Sequence, residues 1–202
     1  MTIDRWKRLM KVFGFFNNSD TFEILIASYS EKHRFYHTLE HIEACFKHLD
    51  TVSTQVHKLH EVELALWFHD VIYKPFSGTN EEDSAEQARL FLENNKADPE
   101  CINRIYDLII LTKDHLEPVT DDGKILLDID LSILGVESHI YEQFEINIRK
   151  EYKRVPSFMF RKKRKEILQN FLKRPRIYHT DCFFERLEVQ ARENLKVAIK
   201  RL

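Results

Sequence analysis

With 202 residues, 43% of them hydrophobic and 32% charged, the chain is long enough to bury a substantial core and too apolar to be disordered. A formal charge of -2 provides no global field for nucleic acid or an acidic membrane surface, and four Gly and five Pro leave little turn material for an all-β fold. Three widely spaced cysteines, Cys45, Cys101 and Cys182, form neither a disulfide framework nor a zinc–thiolate cluster and suit a reducing cytosol.

In chain order, the opening residues lack the basic and apolar regions of a signal peptide, and no apolar run reaches the ~20 residues that span a bilayer. A cytoplasmic chain without membrane association is expected. The periodicity predicts an all-α protein of about ten helices. Residues 5–13 carry Trp6, Leu9, Met10 and Phe13 at helical spacing. Ser19-Asp20 caps a second helix to about residue 30, and a third covers residues 37–49 with Ile42, Cys45, Phe46 and Leu49 on one face. Ser53 or Thr54 starts a fourth, whose apolar stretch 62–72 ends before Pro75. Thr79 and Glu82 form a capping box for a helix to about residue 94. Asp98-Pro99-Glu100 combines a cap, a first-turn proline and a first-turn acid, and opens a helix running toward Thr112. Helical patterns follow at 126–134, 138–152, 157–172 and from 181 onward. Residues 125–134 also fit a strand, because Ile129, Leu131 and Ile133 alternate with Asp128, Asp130 and Ser132. No repeat or linker marks a boundary. One domain over 1–202 is expected, with a core at about 36–135 and the helices of 4–31 and 137–201 packed on it.

Three constellations offer chemistry. His37 and His41 stand four apart, a spacing that places both imidazoles on one helix face, where they could bind a metal or simply cap and pack. The same string matches the inverted zinc-protease motif H-x-x-E-H, which needs Glu40 as base and a further helical glutamate; the nearest candidate of interest, Glu117, sits in a loop before Pro118. His69-Asp70 lies in the apolar run Trp67-Phe68-His69-Asp70-Val71-Ile72-Tyr73, where burying both unpaired is costly. Metal coordination or pairing with a base would each stabilise them. Asp128 and Asp130 share a face as a strand but not as a helix, and the segment fails a calcium loop because Ile133 occupies the glycine position.

In chain order, His41, His69-Asp70 and Asp130 resemble the H…HD…D arrangement of the HD superfamily of phosphohydrolases. The contexts Tyr36-His37-x-x-x-His41-Ile42, Asn80-Glu81-Glu82-x-Ser84-Ala85, Asp130-Leu131-x-Ile133-Leu134-Gly135 and Ala191-Arg192-x-Asn194-Leu195 are similar to one bacterial subfamily of predicted metal-dependent HD phosphohydrolases. The resemblance covers residues 36–195 and implies an all-helical fold, which would resolve 125–134 as helix. It implies His41, His69, Asp70 and Asp130 as metal ligands, with Asp128 behind them or at the surface and His37 lining the site or orienting water. Such a mixed nitrogen and oxygen set suits Mn, Fe, Mg, Ni or Zn.

The expected activity is hydrolysis of a phosphate ester, a nucleotide among the candidates, by in-line attack of a metal-activated hydroxide, with Asp70 as ligand and proton acceptor. The expected partner is therefore a small phosphorylated substrate. The alternative is an HD-like module that binds a ligand or partner without turnover. His115 is the candidate for a second metal; Glu81, like Asp128, could touch the site, although first-turn helix stabilisation explains Glu81 equally well. A phosphate clamp must be cationic, and Lys113, Arg149 and Arg161 are its candidates. The last two belong to the basic block 149–165, which reads either as a substrate or nucleic-acid contact or as the solvated side of two helices. The other face of those helices would hold Phe144, Ile148, Phe158 and Leu168. Nucleic acid is not the expected partner.

Overall fold

The computed structural model describes residues 2–16, 18–113 and 118–202, and every regular element among them is helical. The helices are α1 (Ile3–Phe13), α2 (Ser19–Tyr29), α3 (Leu39–Val52), α4 (Leu59–Phe68), α5 (Asn80–Asn94), α6 (Pro99–Leu111), α7 (Asp121–Asp130), α8 (Ser138–Glu151), α9 (Ser157–Lys173) and α10 (Asp181–Arg201). Short 3-10 turns occupy Ser53–Gln55 and Leu131–Gly135. The ambiguous acidic segment is thus helix followed by a 3-10 turn. None of the described helices is long and apolar enough to cross a membrane. The chain divides into two compact units, Met1–Leu126 and Leu127–Leu202, and the dividing point falls inside α7.

The first unit is organised around α4, whose residues from Glu61 to Phe68 are all buried. A helix apolar on every side has no solvent face and must be central, and α1, α3, α5 and α6 all pack on it. Aromatic rings fill the joint: Trp67 meets Trp6 edge-on at 5.2 Å and Phe46 at 4.9 Å, while Phe68 meets Phe91 at 5.4 Å. The two acids on α4 are buried because each finds a guanidinium. Glu61 accepts from Arg104 at 2.7 and 2.8 Å, and Glu63 accepts from Arg5 at 2.7 Å.

Two start signals were misleading. Ser53 or Thr54 does not open α4; that stretch is a 3-10 turn, and α4 begins at Leu59. The turn leading into it is held from far along the chain, since the Asp122 carboxylate accepts from the amides of His57 and Lys58, both at 2.8 Å. At α5 the start is as expected, but the Thr79–Glu82 capping box is not made. Thr79 Oγ1 donates to Asp83 and Glu82 pairs with Lys113. Asp98 does cap α6, accepting from the Cys101 amide at 3.0 Å. Gly14 ends α1 with φ 71°, a left-handed cap that lets the Phe15 amide reach the Met10 carbonyl at 2.9 Å.

In the second unit the 3-10 turn after α7 packs on α10. Gly135 must be glycine there, because a Cβ would lie 2.6 Å from Leu187 Cβ and 2.8 Å from both the Leu187 carbonyl and the Tyr178 hydroxyl. Asn194 Nδ2 donates to the carbonyls of Leu134 at 2.9 Å and Val136 at 2.8 Å, and the Tyr178 hydroxyl donates to Leu131 at 3.1 Å. The expected apolar face of α9 is corrected. Phe158 is 67% exposed, and Leu168 is the buried residue of that helix. A cation takes the inward position instead: Arg164 turns in and donates to Glu145 at 2.6 and 3.0 Å.

Candidate metal centre

The site is assembled in the first unit, where α4 ends. His69 is the C-cap residue of α4, its amide donating to the Ala65 carbonyl at 2.8 Å, and Asp70 follows as the chain leaves the helix. The next residues are irregular and are tied down from outside. Arg34, buried, donates to the carbonyls of Asp70 at 2.6 Å, Val71 at 2.8 Å and His37 at 3.3 Å. Ser84 Oγ accepts from the Ile72 amide at 3.1 Å, and the Asn80 side chain bonds both the amide and the carbonyl of Lys74. Asn80 and Ser84, noted in the sequence only as context, therefore hold the His69–Asp70 turn in place.

α3 starts at Leu39, so His37 precedes the helix and Thr38 is extended at φ -118°. The shared helix face proposed for His37 and His41 does not exist, which also removes the helical basis of the H-x-x-E-H reading. His37 instead stacks on Tyr73 with centroids 4.0 Å apart and meets Tyr36 edge-on at 4.9 Å. Its ring centroid lies 6.3 Å from that of His41.

His41, on the first turn of α3, and His69 are buried. Their Nε2 atoms are 3.2 Å apart. Asp70 Oδ2 completes a triangle, 3.1 Å from His69 Nε2 and 3.6 Å from His41 Nε2. The other ring nitrogens are engaged by neighbouring groups. His69 Nδ1 lies 3.0 Å from the Leu66 carbonyl, which can only accept, so Nδ1 carries a proton and Nε2 is the nitrogen that faces His41 and Asp70. His41 Nδ1 is 3.0 Å from the Tyr36 hydroxyl, a group that can donate or accept. A metal held by His41 Nε2 would leave Nδ1 as the donor to the Tyr36 hydroxyl.

Burial raises the pKa of Asp70, but the imidazoles of His69, His37 and His41 outweigh it and hold the carboxyl well below the usual range. Its side chain keeps 18% of its accessibility, so the centre is reachable.

Asp128 and Asp130 part company on α7, as a helix requires. Asp128 is fully buried, accepts from the amides of His179 and Thr180 at 2.7 Å each and from Thr180 Oγ1 at 2.6 Å, and so fixes the turn that leads into α10. Burial pushes it up to about 6 against the pull of those donors. Asp130 ends α7, and His41, His69 and Asp130 each offer one ligand atom, all within 4.8 Å of one another.

The remaining candidates are distributed elsewhere. Lys113 follows α6 and pairs with Glu82, Glu81 sits in the first turn of α5, and His115 and Glu117 lie outside the described residues. Arg149 and Arg161 line a cavity of the second unit whose walls include none of His41, His69, Asp70 or Asp130. Arg34 and Tyr36 went unassigned in the sequence. A cation two positions before an aromatic residue and seven before His41 carries no recognisable period, and only the tertiary contact reveals it.

No family model, no curated protein and no solved structure matches this chain.

Proposed function

We propose that the chain is a metal-dependent phosphohydrolase of the HD kind, cleaving a small phosphate ester. The observation that supports it is the convergence of His41 Nε2, His69 Nε2 and Asp70 Oδ2 at separations of 3.2, 3.1 and 3.6 Å. Ligand atoms about 2.1 Å from one ion and roughly 90–109° apart stand about 3.0–3.4 Å from each other, so two of the three edges fall inside that range and the third just beyond. The donor chemistry fits as well: two imidazoles whose second nitrogens are engaged, one carboxylate already ionised, and Asp130 as a further oxygen donor. A divalent ion held there supplies Lewis acidity toward water and toward a phosphoryl oxygen.

The protein's own groups do the rest. Leu66 and Tyr36 orient the imidazoles, Arg34 holds the backbone of Asp70, and the ionised Asp70 carboxylate can accept a proton from water entering the site. The stacked rings of His37 and Tyr73 flank the same turn. Lys113 would contribute its charge to a substrate phosphate only by leaving Glu82.

The test is elemental analysis of the purified protein together with a screen of phosphomonoesters and nucleotides supplied with Mn, Mg, Fe, Ni or Zn. Metal-dependent phosphate release that disappears in Asp70→Asn supports the hydrolase. Stoichiometric metal with no turnover on any of these substrates favours the binding module, and full metal occupancy in Asp70→Asn removes Asp70 from the ligand set.

A further inference from the structure

The second unit contains a cavity of about 500 Å³ lined by α8, the start of α9 and the end of α10. Small-molecule clefts span about 300–1,000 Å³, so the space admits a ligand rather than a single water. Its walls are faces of helices at helical spacing. Tyr141 and Ile146 come from α8, Phe160 from α9, and Val197 and Ala198 from α10. Ile146 remains 50% and Val197 41% exposed, leaving apolar surface that a ligand would cover.

The charges around this apolar space do not cancel. Both acids of the lining are already neutralised: Glu145 accepts from Arg164 at 2.6 and 3.0 Å and from the Tyr141 hydroxyl at 2.6 Å, and Glu142 pairs with Arg201 at 2.8 Å. Two cations of the lining have no such partner. Arg149 donates to the carbonyls of Tyr152 at 2.5 Å and Val155 at 3.1 Å and lies over the Phe160 ring at 4.8 Å, contacts that fix the guanidinium without neutralising it. Arg161 is exposed at the rim. Among the described residues no carboxylate pairs with either. A guanidinium pre-positioned on an aromatic ring beside open apolar surface matches an anion carried on an apolar body.

We infer that this cavity binds a small amphiphilic anion, a carboxylate or phosphate on an aliphatic or aromatic body, with Arg149 and Arg161 holding the head group and Ile146, Phe160 and Val197 the tail. The inference does not rest on the metal centre. The experiment is calorimetric titration of the full chain with dodecanoate below its micellar concentration, with dodecyltrimethylammonium as the cationic control. Dodecanoate is expected to bind at one site and the ammonium amphiphile not to bind. Arg161→Glu is expected to weaken dodecanoate about tenfold or more, and Val197→Trp, which fills the space from an exposed position, to abolish binding. Both sites are exposed or half-exposed, and unchanged melting of the two variants would confirm intact folds. Absence of dodecanoate binding, equal binding of the ammonium compound, or binding unaffected by Val197→Trp overturns the proposal. So does binding of duplex DNA or anionic vesicles that Arg161→Glu weakens and Val197→Trp spares, because that result places the cations on a macromolecular surface.

Discussion

The two units differ in the sign of what they leave unsatisfied. Residues 1–126 hold 22 Asp and Glu against 14 Lys and Arg, while residues 127–202 hold 11 against 17. The near-neutral total conceals two units of opposite net charge. In the first unit His41 Nε2, His69 Nε2 and Asp70 Oδ2 stand within 3.6 Å of one another, an arrangement that a divalent ion would stabilise. In the second, Asp128 and Glu188 are engaged by backbone amides and Glu145 by Arg164, while Arg149 and Arg161 pair with no carboxylate among the described residues.

The sharpest form of the comparison lies within two residues of α7. Asp128 meets protein donors and is structural; Asp130 is placed with His41 and His69. The largest expected effect follows from this pair. His69→Ala should lower metal affinity at least about a hundredfold while the fold survives, as read by calorimetry with Mn and Zn and by circular dichroism. Asp128→Ala should do the reverse. It strands three part-buried donors in the turn before α10 and should cost about 2 kcal/mol in denaturant unfolding, with metal affinity unchanged. Equal effects of the two substitutions on metal binding would break the distinction between the acids.

Smaller is the expected effect of Arg34→Met, which removes the donors to the Asp70 and Val71 carbonyls without touching a ligand atom. Metal affinity should fall about tenfold to a hundredfold, with ligand identity preserved in the absorption spectrum of the cobalt-substituted protein. The smallest effect separates two thiols. Burial, with Glu61 beside it, pushes Cys101 up to about 11, whereas Cys182 is partly exposed near Arg186. Maleimide at pH 8 should label Cys182 first, because about one Cys101 in a thousand is then thiolate. Labelling of Cys101 should rise with pH toward 11.

Much of the helical order was legible because local signals coincided with local causes. Asp98-Pro99 predicted the start of α6 through its own cap, and Asp121–Asp130 became helix as the resemblance implied. Where the cause was distant, the local signal misled. Ser53 and Thr54 looked like the start of α4, yet the turn that precedes the helix is held by Asp122, and Phe158 fitted an apolar stripe although it is exposed while Arg164 turns inward. The same holds at the site. The order of His41, His69 and Asp130 along the chain pointed to residues that could hold a metal ion, because a ligand set is written in the side chains themselves. Arg34 and Tyr36 act through carbonyls and a ring nitrogen, and their importance exists only once the chain has folded.

The most direct measurement is metal content per chain by mass spectrometry, on protein equilibrated with Mn or Zn and passed through a desalting column, for the wild type and His41→Ala. The account predicts at least one ion retained by the wild type and essentially none by the variant. Equal retention by both, or none by the wild type together with a melting temperature indifferent to added metal, would contradict it.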